Sequence, residues 1–212
     1  MDVSEKNAAD SEKVPELGGH VRKLREGLGI SLADLSTRTG LSRSTLYKVE
    51  KGQMSLTYEN LIKLSRGLGV DISRLFELRN QSDEHGQAVQ ETKSFPGRRV
   101  IGRWSDGKAL ETDNYVDIYL CTELSRKLFD PVITKVKAKT LNEFGEFSRH
   151  PGEEFSFVIE GSVRVCSEAY EPVVLCAGDY IYFDSEMGHA YLNCGTEDAV
   201  LLTICSKRTG AD

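Results

Sequence analysis

Two short segments of the 212-residue chain carry residue types that metal chemistry needs. The first, EFSRHPGEEFSFVIEGSV from Glu146 to Val163, holds His150 and, four residues on, Glu154 at the head of an alternating apolar run. The second, GDYIYFDSEMGHAYLN, carries His189 near its end, with Tyr191 two residues later. On a strand, residues two apart share a face. Glu154, Ser156 and Val158 therefore point one way and Phe155, Phe157 and Ile159 the other, and His189 shares a face with Tyr191. If the two segments face each other, two imidazoles and one carboxylate converge. That donor set suits iron, and also manganese, nickel or zinc, and it leaves positions open for a ligand or dioxygen. Ser148 stands two residues before His150, where a second imidazole of this segment would fall. Without a metal, the same His and Glu can serve as hydrogen-bond partners for a small molecule in a polar interior.

The segments around these residues are strand-like. YVDIYLC, PVITKVKA, FSFVIEGSVRVC, EPVVLCAGDYIYF, HAYLN and AVLLTIC alternate in polarity and are separated by Gly, Asp, Asn and Pro turns. With no helical pattern between them, they predict an all-β sandwich or barrel of jelly-roll type over residues 99–208. Ahead of it, residues 80–98 are polar with Gly86, Pro96 and Gly97, and read as a linker.

Residues 16–79 have a different period. Leu17, Val21, Leu24 and Leu28 fall on one face of a first helix that Gly29 stops. Ser31, Ser42, Thr57 and Asp71 are N-cap types ahead of four more short helices, and Gly40, Gly52 and Gly69 end three of them. Leu46 and Val49, then Leu61, Leu64 and Leu68, are the expected inward positions of the third and fourth helices. The pairs GLGI and GLGV are helix ends, since neither follows a strand or continues as a phosphate-binding glycine loop.

Charge divides the chain in the same place. The whole carries a formal charge of -6, yet His20–Asn80 holds eleven basic against six acidic residues. A basic helical part and an acidic strand part imply different partners. Residues 1–15 are polar and acidic without an apolar core, which predicts a disordered tail and no secretory signal. No apolar run is long enough for a membrane helix. Five scattered cysteines without a C-x-x-C pair fit a reducing compartment, so a cytoplasmic location is expected, with the cysteines acting as small buried hydrophobes.

Ser31 to Gly52, two short helices joined at TGLS, has helix-turn-helix spacing. ISLADLSTRTGLSRSTLYKVEKG resembles the XRE/Cro-repressor family, which implies a five-helix, lambda-repressor-like domain whose third helix enters the major groove of double-stranded DNA. By that resemblance Ser42, Arg43, Ser44, Thr45, Tyr47 and Lys48 face the groove. Arg43 can pair with guanine and Tyr47 can pack on a thymine methyl. Arg38, Lys48 and Lys51 are expected on phosphates. Leu32 stands where the family often has a glutamine at the start of the second helix.

HPGEEFSFVIEGSV and GDYIYFDSEMGHAYLN resemble the two motifs of the cupin family, in order and at family distance. The expected architecture is thus two domains, an all-α helix-turn-helix domain followed by an all-β cupin jelly-roll barrel. Asp184 and Glu186 occupy the turn where family members carry Pro and Gly. The resemblance implies His150, Glu154 and His189 as ligands of a divalent metal, Fe, Mn, Ni or Zn, with Tyr119, Ser148 and Tyr191 around the ligand pocket. Loss of the first motif histidine also occurs in the hydroxypropylphosphonate epoxidases, non-haem iron enzymes that join a helical domain to a cupin. They carry a lysine near the end of the first helix that this chain lacks. Two functions follow. One is a homodimeric transcription regulator that binds an operator and senses a small-molecule effector, with a small anion as the expected class. The other is a mononuclear iron oxygenase with an inherited helical domain.

Overall fold

The structure, a computed structural model, describes residues 14–76 and 97–206. Nearly all of the expected tail and linker lies outside the described residues. At the first boundary the helical domain starts earlier than expected, because helix α1 (Val14–Gly27) already includes Val14 and Pro15.

Four more helices follow, α2 (Leu32–Thr39), α3 (Arg43–Glu50), α4 (Tyr58–Leu68) and α5 (Ile72–Phe76). The polar residues expected at their starts act as caps. Ser31 accepts from the Asp34 N–H while the Asp34 carboxylate reaches back to the Ser31 N–H. Ser42 and Thr57 accept from the N–H of Thr45 and Asn60. Gly40 and Gly69 close α2 and α4 in the left-handed conformation, at φ of 70° and 68°, which a side chain would strain. Val21, Leu35, Leu46, Leu61, Leu64 and Leu75 fill the centre.

One expected core position is wrong. Leu28 is 50% exposed, since α1 ends at Gly27 and the chain turns away. The buried position nearby goes to Arg25, whose Nε and Nη2 donate to the two Glu50 carboxylate oxygens at 2.6 and 3.0 Å. Its Nη1 donates to the Ile30 carbonyl at 2.9 Å. A buried, bidentate pair thus ties α1 to the last residue of α3. The two helices also touch directly: a Cβ on Gly18 would stand 2.0 Å from the Val49 carbonyl oxygen.

The second part is the expected two-sheet β fold. One sheet has six strands in the order β1 (Lys108–Glu111), β2 (Tyr115–Tyr119), β3 (Phe129–Val136), β9 (Ala199–Ser206), β4 (Glu153–Glu160), β7 (Tyr180–Asp184). The other has β6 (Val173–Cys176), β5 (Ser162–Ser167), β8 (His189–Asn193). All pairings are antiparallel. The alternation predicted for β4 holds, with Glu154, Ser156 and Val158 buried inside. The turn at Asp184–Met187 closes without Pro or Gly through a bond from the Met187 N–H to the Asp184 carbonyl. A short helix α6 (Leu141–Phe144), with no counterpart among the expected elements, precedes Ser148.

The two parts are not separate bodies on a string. Leu110, Tyr119 and Val132 of the strands belong to the same buried apolar cluster as the helical core, and Tyr58 and Phe76 pack against it. The Phe76 and Tyr119 rings lie 5.1 Å apart, and the Arg126 N–H donates to the Asp71 carboxylate at 3.1 Å. Among the described residues, no helix is long and apolar enough to cross a membrane.

Candidate functional site

The strand register brings the expected ligands together. Glu154 sits on β4 opposite Cys205 of β9 on one side and Phe183 of β7 on the other. His189 opens β8, and its backbone pairs with Ser148, which carries the chain into the barrel so that His150 faces Glu154. His150 Nε2 lies 3.0 Å and His189 Nε2 3.6 Å from Glu154 Oε2. All three side chains are buried.

The two oxygens of Glu154 have different roles. Oε1 accepts from the Tyr191 hydroxyl at 2.6 Å and from Ser156 Oγ at 3.0 Å, and Ser156 is in turn bonded to Thr203 Oγ1 at 2.9 Å. That holds the carboxylate in place and leaves Oε2 to the imidazoles. His189 Nδ1 is bonded to the Met187 carbonyl at 2.9 Å, which fixes the tautomer and aims the Nε2 lone pair inward. Burial pushes the His189 pKa down, against the opposing pull of Glu154, so the ring is neutral and able to coordinate. For Glu154, burial works upward. It is outweighed by the His150 bond, by the charge the two imidazoles gain in acid and by the Tyr191 bond, and the carboxyl ends below its usual range.

Two imidazoles, with that of His189 kept neutral by burial, and an ionised, anchored carboxylate suit a divalent metal, so the residues present fit the group. His150, Glu154 and His189 would hold it. A fourth donor was missed in the sequence. Cys205, buried across the strand pair from Glu154, places Sγ 4.0 Å from Oε2. The ligand atoms of His150, Glu154 and Cys205 all lie within 4.8 Å of one another. The small, buried cysteine expected from the sequence is thus also a thiol at the cluster. Its position follows from the β4–β9 register, which no local motif encodes.

The cluster lies at the floor of a cavity of about 580 Å³. The residues facing inward from β2, Tyr115, Asp117 and Tyr119, form one wall, with Thr134, Tyr191, Ser148 and Thr203 around them. Tyr119 and Ser148 line the cavity, and Tyr191 lines it while committed to Glu154. Among the described residues, the Tyr119 hydroxyl and His150 Nδ1 are buried without a hydrogen-bond partner. The roof comes from the helical domain. Gln53, Met54, Ser55, Thr57, Tyr58 and Glu59, between α3 and the first turn of α4, all line the cavity. The Tyr58 ring meets the His150 ring edge-on at 4.9 Å, and its hydroxyl reaches Asp130 at 3.3 Å. The sequence gives no sign of this roof, which arises only when the domains pack.

Burial pushes the Asp117 carboxyl from 3.8 up to about 7, with the Thr134 bond working against it. A carboxyl raised in this way leaves the fold most stable below the unfolded value and loses that stability as pH rises through the folded value. Asp117→Asn is therefore expected to match the parent near pH 4 and to exceed it at pH 8, by up to about 4 kcal/mol. Chemical denaturation at the two pH values checks this, and equal gaps at both would show that Asp117 is solvated.

The second candidate surface is α3. Ser42, Arg43, Ser44, Tyr47 and Lys48 are exposed, as are Arg38 and Lys51, while Thr45 is half-buried. The side chains of Arg38, Arg43 and Lys48 are exposed, so their charges face solvent. Lys51 lies 5.8 Å from the Tyr47 ring centroid. Ser42 is the expected cap of α3. Its hydroxyl takes the Thr45 N–H and contacts the Ser44 and Thr45 hydroxyls at 2.8 Å, so capping occupies it.

Comparison with known proteins agrees with both halves. A helix-turn-helix family model (HTH_3) matches residues 21–75, and a cupin domain model matches residues 141–205. The structure is similar to an HTH_3 family transcriptional regulator from Vibrio cholerae, with 22% identity over 92% of this chain and 97% of that one and a TM-score of 0.61. It also resembles hydroxypropylphosphonic acid epoxidase from S. wedmorenis, with 20% identity over 91% and 97% of the two chains and a TM-score of 0.44. No curated protein matches the chain. With both domain models matched in order along one polypeptide, the protein is a helix-turn-helix domain fused to a cupin domain.

Proposed function

We propose that the protein is a DNA-binding transcription regulator whose cupin cavity binds a small metabolite and reports it to the DNA-reading helix. One observation carries this reading: the cavity roof, Gln53–Glu59, follows α3 directly, so a ligand touches the segment that positions the recognition helix. A ligand can shift DNA affinity only by binding two arrangements of that roof unequally, and a roof shared by both domains makes such a difference physical. In a homodimer, the two α3 helices would sit about 34 Å apart, one turn of DNA, and read a pseudo-palindrome. His150, Glu154 and His189 would hold a divalent metal at the cavity floor as part of the ligand site.

The test begins with selection of bound sequences from random duplex DNA. Arg43→Ala is expected to weaken the selected site by about 1–3 kcal/mol while leaving binding to random DNA nearly unchanged. Equal losses on both would remove Arg43 as a base reader, and failure to enrich any sequence would sink the regulator reading.

The second reading, a mononuclear iron oxygenase, is favoured by Glu154 Oε2 facing both imidazoles. A ferrous ion held there would supply an open-sided centre for dioxygen. Substrate-dependent oxygen uptake by the iron-loaded protein, lost in His189→Ala, would favour this reading over the first.

A further inference from the structure

The cavity is acidic. Among the described residues, its charged lining comprises the carboxylates of Glu59, Glu111, Asp113, Asp117 and Glu154 against one lysine, Lys137, and Glu59 is paired with Lys63 beside the lining at 2.5 Å. Lys137 is already paired with Glu111 at 2.9 Å. An anion entering here would meet a like-charged rim and a like-charged wall, which runs against the small anion expected from sequence. A metal at the floor would offset Glu154, whereas Asp117 stands on β2 of the same sheet, separated from β4 by β3 and β9. Among the described residues, the hydrogen-bond partner of Asp117 is Thr134 Oγ1, at 2.8 Å, and no basic side chain answers its charge. Two residues along the same strand face, the buried Tyr119 hydroxyl has no partner among the described residues and lines the same space. The Tyr119 ring is stacked with Tyr58 of the roof, centroids 6.2 Å apart.

Resting on the reading of this cavity as the ligand site, we infer that it takes an organic cation, a primary ammonium or guanidinium on an apolar stem, anchored by Asp117. The N–H donors reach the Asp117 carboxylate and the Tyr119 hydroxyl, and aromatic faces of the roof and wall flank the charge. An ammonium at this position offsets the cost of burying the carboxylate, which the empty fold bears alone.

Calorimetric titration of the full chain tests this with n-hexylammonium and n-hexylguanidinium, against hexanoate and n-hexylphosphonate as matched anions. The cations are expected to bind and the anions not to. Asp117→Asn, which keeps an acceptor for Thr134, should weaken the cations by more than about tenfold. Tyr119→Phe, which removes one hydroxyl, should weaken them less and serves if the first variant folds poorly. Anion binding, absence of binding by all four probes, or cation binding indifferent to both variants overturns the assignment. Operator affinity measured with the same probes separates this from the sensor reading. Cations that bind without changing DNA affinity leave the assignment and remove the sensor. Release of DNA by the anions alone does the reverse.

Discussion

Glu50→Ala is expected to lower stability by about 3–5 kcal/mol, the cost of leaving a buried charge without its partner. Glu50 and Arg25 are both 8% exposed and are joined by two bonds, so the variant leaves a buried guanidinium between α1 and α3 with the Ile30 carbonyl and, at 3.6 Å, the half-exposed Glu26 carboxylate to meet it. Arg25→Ala should cost a similar amount, by stranding the carboxylate. An Arg25→Met, Glu50→Leu double variant should recover most of the loss, because a buried pair contributes little beyond an apolar pair of the same volume. Urea denaturation of the four proteins checks the pattern. A loss for Glu50→Ala below about 1 kcal/mol would place the pair with ordinary surface ion pairs. The expected consequence extends to DNA, since this pair and the Gly18–Val49 contact set how α3 is held.

The largest effect on the cupin side is expected at Glu154. Glu154→Ala removes the carboxylate that faces both imidazoles and should lower metal affinity by well over about 100-fold. Tyr191→Phe leaves all ligands but removes the bond that anchors Oε1, and should cost about 10–100-fold, the usual range for a partner behind a ligand. Metal content after dialysis, measured by elemental analysis, distinguishes them. Cys205→Ser adds a third comparison: retention of metal assigns the site to His150, Glu154 and His189, and its loss assigns the thiol to the set. An unchanged metal content in Glu154→Ala would mean that the buried cluster serves hydrogen bonding alone.

What could be read in advance divides by range of interaction. Caps, helix ends and strand alternation are local, and Ser31, Thr57, Gly40 and the inward Glu154–Ser156–Val158 series all stand where period and residue type put them. That His150, Glu154 and His189 meet could be anticipated because each lies in a short motif. Cys205 could not, because its place at the cluster depends on which residue of β9 faces Glu154, a pairing across 51 positions of chain. Tyr58 could not, because it reads as an ordinary first-turn residue of α4 until the helices dock on the barrel. Leu28 misled because periodicity continues past the glycine at which the helix ends. The charge of the pocket was hidden for a related reason: its acids come from α4, from β1 and β2 and from β4, and only folding pools them.

The roof over the cavity has a consequence for time as well as for affinity. A guest on the floor near His150 is covered by Tyr58 and its neighbours, which belong to the DNA-reading half of the molecule. That cover is held down by the Phe76–Tyr119 and Asp71–Arg126 contacts. Loosening them should widen the way out and shorten the time a guest stays, with no change in the guest's own contacts.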